Sequence, residues 1–301
     1  MSEKSRPKIG VALSGAAVRA VAQIGVLEVF RENDIPIDYL VGCSSGALVA
    51  ASYCAGTMEQ FKQDIFHYDL KKWWSFFSLR NAKGGWFNLN EAAREFKKHI
   101  RGLRFKDSNP KLGVTVTDIN TGELINLVSG DVLEGLKAAA ALPGWFEPGI
   151  DGDKILVDGG LSDIIPVSSV RKMGADIVIG VDGAASRYLY RTRLSFRIWK
   201  MFRRFFGGPR NMQPLNPQRL NFFQVLTRAW DWSIEMQKIE DMDKYKCDFM
   251  IELPTKHYGR LDFKNLPTIY EEGRKTAIKH IPEIKKMIEN YNNEVYEIVR
   301  S

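Results

Sequence analysis

Gly42-Cys43-Ser44-Ser45-Gly46 stands between the apolar run Ile37 to Val41 and the small-residue run Ala47 to Ala55. That order predicts a strand, a sharp turn and a helix, with Ser44 at the apex of the turn. It matches the nucleophile elbow, in which glycines on either side of a serine leave room for a strained turn that lifts the hydroxyl out of the backbone. Gly42 and Gly46 are therefore motif-supporting residues, and Ser44 is the candidate nucleophile. The alternative is a helix-capping loop, in which Ser44 or Ser45 accepts a hydrogen bond from the first helical amides. A five-residue pattern with two free positions is common, so its meaning depends on what surrounds it.

Upstream, Lys8 to Leu13 reads as a buried strand and Ala16 to Asn33 as a helix, with Ile37 to Val41 as the second strand. A βαβ unit of this kind implies a parallel sheet. Further strands are expected at Leu112 to Asp118, Leu124 to Val128, Ile155 to Val157, Ile177 to Val181 and Phe249 to Leu253. Helices are expected near Glu91 to Ile100, Val132 to Ala140 and Thr268 to Val299. The alternation predicts an α/β fold in one domain over residues 1–301, with an insertion at 183–236 serving as a lid or membrane-facing segment. Between the first strand and its helix lies Ser14-Gly15-Ala16-Ala17-Val18-Arg19, where free amides and the helix dipole favour an anion. That loop and the Ser44 turn both fall at the carboxyl ends of parallel strands, where open α/β sheets bind ligands.

The chain has 301 residues and is 45 % apolar, enough for a substantial core. Met1 to Lys8 is polar and lacks the pattern of a secretory signal, and no apolar run is long enough to span a bilayer. Cys43, Cys54 and Cys247 are odd in number and far apart, which fits neither a disulfide framework nor metal-ligand spacing. The expected setting is the cytoplasm, peripheral to the inner face of the membrane, with no metal and no cofactor.

The formal charge is +7, and the stretch from Gly183 to Ala229 has ten Lys and Arg without a single Asp or Glu. On a helix over Arg193 to Phe206, Arg193, Arg197, Lys200 and Arg204 share one stripe, and Leu194, Ile198, Met201, Phe202 and Phe205 gather on another face. Such a basic amphipathic helix suits an anionic membrane surface. The alternative is a helix packed on the core with a solvated basic face. Nucleic acid is not an expected partner, because no binding motif accompanies the charge, and a P-loop would need a Gly-Lys-Ser/Thr sequence that is absent. A second aromatic cluster, Trp73, Trp74, Phe76, Phe77 and Trp86, suits an acyl pocket, a membrane interface or a core.

A serine nucleophile needs a base for its proton and donors for the oxyanion it creates. His67, His99, His257 and His280 stand in no recognisable catalytic setting. The acidic candidate is Asp158 in Val157-Asp158-Gly159-Gly160, at a strand end where Gly159 and Gly160 permit a tight turn. A Ser-Asp-His hydrolase with His257 as base remains an alternative, although such enzymes place several strands before the elbow and Ser44 follows only the second.

The Gly15 loop, the Ser44 elbow and the Asp-Gly-Gly, in this order, resemble the patatin-like phospholipases. Ala22-Gln23-Ile24-Gly25-Val26-Leu27, Thr117-Asp118-Ile119-Asn120-Thr121-Gly122 and Leu142-Pro143-Gly144 extend the likeness, which covers residues 8 to 183 closely. The resemblance implies a three-layer αβα fold with a mostly parallel central sheet. It also implies a lipid acyl hydrolase acting on phospholipid or lysophospholipid through a Ser44–Asp158 dyad and an acyl-enzyme, with an oxyanion hole from Gly15, Ala16, Ala17 and Arg19. One departure stands out: the family loop is usually G-G-G-x-R/K-G, and here Ala16, Ala17 and Ala20 replace three of its four glycines. Alanine keeps its amide, but at a position of positive φ it is strained by about 1 kcal/mol or more. The alternative function is therefore a catalytically weak or inactive patatin-like protein that binds lipid or a partner.

Overall fold

The computed structural model describes residues 6–76, 85–183 and 247–298, together with Leu215, Phe222, Val225, Leu226 and Ala229. The expected basic stripe of Arg193, Arg197, Lys200 and Arg204 lies outside the described residues, as does Phe77.

Strand β1 (Ile9–Leu13) is buried along its whole length, as a central parallel strand must be. A single 3₁₀ turn (Ala17–Ala20) and helix α1 (Val21–Glu32) follow, so the continuous helix expected from Ala16 begins as a tighter coil. Strand β2 (Tyr39–Cys43) runs two residues past the expected end and feeds directly into Ser44 and α2 (Ser45–Cys54). Then come α3 (Met58–Phe66), α4 (Leu70–Ser75), β3 (Gly85–Phe87), α5 (Asn90–Ile100), β4 (Lys111–Asp118) and β5 (Leu124–Leu127). They are followed by α6 (Val132–Ala139), β6 (Gly144–Phe146), β7 (Gly149–Asp151), β8 (Lys154–Asp158), α7 (Val167–Lys172) and β9 (Ile177–Asp182). Strand β10 (Phe249–Glu252) and the long helix α8 (Leu266–Ile298) complete the described chain. Strands β3, β6 and β7 have three residues each, too few to show a periodicity in sequence.

The main sheet has the order β10-β9-β1-β2-β4-β8-β7, with β5 also on β4. Strands β10, β9, β1, β2 and β4 are parallel, and the other three run antiparallel to their neighbours. Alternation along β1 separates the two faces. Ile9, Val11 and Leu13 join residues of α1, α2 and α8 in one core, whereas Ala12 packs with Val167 and Val170 of α7 on the other side. The result is three layers, helices on a mostly parallel sheet on a helix.

The pairing on β4 places the site. Strand β5 takes one edge of β4 opposite Val114 to Thr117. Strand β2 pairs as far as Cys43 opposite Thr115, and β8 pairs from Asp158 opposite Val116. Both overlap the span covered by β5, and a strand has two edges, so β2 and β8 share the other one. They run in opposite directions and meet end to end, their carboxyl termini one residue apart along β4.

Helix α8 is bound to α1 through a buried carboxylate. Glu28 is met by Lys62 of α3 at 2.9 Å, by the Tyr270 hydroxyl and by Arg274 at 3.4 Å, and Arg274 also pairs with Glu32 at 2.8 Å. A buried charge costs heavily unless paired and hydrogen-bonded, and here it is both. Leu215, Val225 and Ala229 pack on Ile119, Ile155, Val157 and Leu161, which carries parts of the 183–236 segment onto the sheet beside β8.

Candidate active site

Ser44 adopts φ 51° and ψ −125°, a conformation that costs a non-glycine residue of order 1–3 kcal/mol. Close packing holds it there. A Cβ on Gly42 would lie 2.4 Å from the Cα of Ala47, and one on Gly46 would lie 2.6 Å from the carbonyl oxygen of Ser14. The two glycines let the elbow press against its own helix and against the end of β1. The capping alternative fails for Ser44, whose side chain accepts no cap hydrogen bond. Ser45 does something else, because its Oγ accepts the Ala16 N–H at 3.0 Å and ties the Gly15 loop to the elbow.

Asp158 terminates β8 at the point where β2 ends. It is buried; its Oδ1 accepts the Gly160 N–H at 2.8 Å and lies 3.8 Å from the Cys43 sulfur. Among the described residues, Oδ2 is buried with no hydrogen-bond partner. Burial pushes the carboxyl up to about 6 from its ordinary 3.8, while the Ser44 hydroxyl, the Gly160 amide and the Cys43 thiol each pull it back down. The group is thus ionised at neutral pH yet a better proton acceptor than a solvated aspartate.

The Gly15–Arg19 loop is largely committed. Gly15 N–H donates to the Ile164 carbonyl at 3.1 Å, Ala16 N–H to Ser45, and Arg19 N–H to the Ala16 carbonyl at 3.2 Å. Of the four expected oxyanion donors, Ala17 alone has an amide with no partner among the described residues; the same holds for Ser45 N–H at the start of α2. Ala17 carries φ 53°, so it is the position where the change from glycine introduces strain. Arg19 is buried, and its Nε donates to the Ala16 carbonyl at 3.4 Å, bracing the loop from behind. Burial is the main influence lowering its pKa, Arg260 adds to it, and Asp182 opposes both.

Ala17 and Ser45 also line a cavity of about 490 Å³ that continues between Leu48, Val49, Phe61, Phe96, Leu136 and Phe146. Its size and apolar lining are those of a small-molecule site. Trp73, Trp74 and Phe76 of the second aromatic cluster belong to this wall, whereas Trp86 does not. Lining residues on α5 and α6 were not anticipated; the signal available was their apolar stripes, which equally describe a core.

Among the described residues, none of the four histidines hydrogen-bonds Ser44 or Asp158. His257 is exposed and rests on the Tyr258 ring, His67 meets the Gln63 carbonyl, and His280 lies against Phe249. His99 is buried beside Asp64 in the cavity wall. The same residues contain no group of three or more His, Cys, Asp or Glu able to hold a metal, and no helix long and apolar enough to cross a membrane.

A family model described as patatin-like phospholipase matches residues 11–171. The lysophospholipase NTE1 of Mycosarcoma maydis is 28 % identical over 279 residues, covering 90 % of this chain and 14 % of that protein. The lysophospholipase nte1 of Neurospora crassa is 25 % identical over 286 residues, 92 % of this chain and 18 % of its own length. The patatin-like phospholipase domain-containing protein ZK370.4 of Caenorhabditis elegans is 26 % identical over 279 residues, 89 % of this chain and 20 % of that protein. The chain spans a fifth or less of the length of these relatives. The crystal structure of VipD from Legionella pneumophila aligns with 98 % of this chain and 80 % of that chain at 12 % identity and a TM-score of 0.35, too low to carry an argument about the fold.

Proposed function

Because this chain belongs to the patatin-like phospholipase family, we propose that it hydrolyses carboxylic esters of phospholipid or lysophospholipid with Ser44 as nucleophile and Asp158 as base. The single observation that carries the reading is the unpartnered, buried Oδ2 of an Asp158 whose charged form the neighbouring Ser44 hydroxyl stabilises. Ser44 Oγ attacks the ester carbonyl as its proton passes to Asp158, and the tetrahedral oxyanion forms against the Ala17 and Ser45 amides. Collapse expels the alcohol, which takes the proton from Asp158, and leaves an acyl-Ser44 ester. Water, deprotonated by Asp158, then attacks that ester, and the acid departs as Ser44 regains its proton. The acyl chain occupies the apolar cavity next to Ser45. No metal or cofactor enters these steps. The protein works at a membrane surface on the cytoplasmic side, where its substrate resides.

The test is hydrolysis of a short p-nitrophenyl ester and of phospholipid vesicles by the wild type, Ser44→Ala and Asp158→Asn. Loss of both activities by about 10³-fold or more in each variant is expected; full activity in either variant refutes the dyad. One observation favours a second reading: with most loop amides committed and Ala17 strained, the hole has few donors, and the protein then binds lipid without turning it over. A fluorophosphonate probe separates the two, since an activated serine labels and an inert one does not.

A further inference from the structure

Strands β3 and β6 form a two-stranded parallel ribbon in which Gly85 pairs with Gly144 and Phe87 with Phe146. Side chains on such a ribbon alternate between its faces. Phe87 and Phe146 turn inward and line the cavity. The intervening Trp86 and Trp145 turn outward, side by side with ring centroids 6.1 Å apart, and they are 55 % and 52 % exposed. An outward face of this kind ordinarily carries polar residues, and here it carries the two largest side chains available.

Helix α4 repeats the arrangement. Asp69 caps it by accepting the Lys72 N–H at 2.7 Å. Trp73 turns in against Phe263, at 5.7 Å between centroids, while Trp74 is 48 % exposed and meets Phe87 at 6.0 Å. The exposed Leu261 adds to the same rim, for it lines the cavity with Trp73, Trp74 and Trp145. Trp74 and Trp145 therefore border the cavity itself, and Trp86 extends the same patch beside Trp145, with its ring stacked on Phe222 at 5.4 Å between centroids. Lys71 and Lys72 stand exposed beside them.

We propose that Trp74, Trp86 and Trp145 form the face that inserts into the surface of a phospholipid bilayer and holds the cavity over its substrate. The occupant follows from the chemistry. Indoles, with an apolar body and a polar N–H, settle at the headgroup level of membranes. The exposed Lys71 complements phosphate, whereas Lys72 already pairs with Glu95 at 3.9 Å, and the cavity bordered by Trp74 and Trp145 has an apolar wall to receive an acyl chain leaving the bilayer. This rests on the lipid-hydrolase reading for the purpose of docking, but its test does not depend on catalysis.

Binding is measured by co-sedimentation of Ser44→Ala protein with phosphatidylcholine vesicles, with and without phosphatidylserine, in low and high salt. Variants Trp86→Ala plus Trp145→Ala, and Trp74→Ala, are compared with Ile278→Ala, an exposed apolar position on α8 that does not line the cavity. The double variant is expected to bind tenfold or more weakly and Ile278→Ala as its parent does, with most binding surviving high salt. As a measurement needing no rim variant, brominated phosphatidylcholine is expected to quench the tryptophan fluorescence of the Ser44→Ala protein. Rim variants that bind like the parent overturn the proposal, as does binding abolished by salt, which assigns docking to the basic 183–229 segment. Soluble-ester hydrolysis by the wild type is read separately, so an inactive protein that still docks through its tryptophans sinks the hydrolase reading alone.

Discussion

The sulfur of Cys43 lies 3.8 Å from Oδ1 of Asp158, with both groups shut off from solvent. Burial, and then the nearby Asp158 charge, raise the thiol well above its ordinary pKa, so it stays protonated and donates to the carboxylate. The residue before Ser44 thus helps to hold the Asp158 carboxyl in its charged form.

Cys43→Ala removes that donor, and the acidic limb of the pH–rate profile is expected to move to higher pH. Cys43→Ser, with a stronger hydroxyl donor of similar size, is expected to return it to the wild-type position or below. Superimposable profiles for all three proteins would show that the contact is packing alone.

In the proposed mechanism Asp158 must be deprotonated to accept the serine proton. With its carboxyl at about pH 6, kcat/KM is expected to rise tenfold per pH unit below 6 and to level off above it. Initial rates on a soluble ester from pH 4 to 8 check this. A profile already flat at pH 5 would mean that the base is an ordinary, solvated carboxylate.

The same shift predicts a stability effect. A carboxyl raised from 3.8 to about 6 binds more protons in the folded than in the unfolded chain across that window. Stability is therefore highest below the window and falls as pH rises through it, by about 3 kcal/mol at about 1.4 kcal/mol per pKa unit. Asp158→Asn keeps the Oδ1 acceptor for Gly160 and carries no charge. It is expected to unfold at higher urea than the wild type at pH 8 and at a similar concentration at pH 4.

Ala17→Gly restores the glycine of the family loop at φ 53°. Relief of about 1–2 kcal/mol of strain, offset by about 0.5–1 kcal/mol of extra unfolded-chain entropy, predicts a gain of up to about 1.5 kcal/mol in urea denaturation. A loss would mean that the alanine methyl makes a contact worth more than the strain.

How much of this was legible beforehand depends on how far each signal reaches along the chain. The β1–α1–β2 unit and the Ser44 turn were readable because each rests on neighbours within a few residues: apolar runs, glycines at Gly42 and Gly46, a helix start. Helix α8 was placed within two residues of its observed ends for the same reason. The cluster holding Trp74 and Trp86 was visible in sequence as pocket, interface or core alike, but the outward facing of Trp86 and Trp145 was not, because a three-residue strand has no period of its own and its two faces exist only once β3 meets β6. The basic stripe from Arg193 to Arg204 falls outside the described residues.

By itself the sequence determined the α/β class and the strained turn at Ser44, and the order of three motifs nominated Ser44 and Asp158 as partners. Local backbone preferences and glycine spacing suffice for the class and the turn. Only the tertiary structure decided that β2 and β8 abut on one edge of β4, bringing together groups 115 residues apart. It also decided which loop amides are already spent and how deeply Asp158 is buried. Those properties belong to pairs of distant elements, and both hydrogen-bond partners and local dielectric are set by what the chain places alongside a residue.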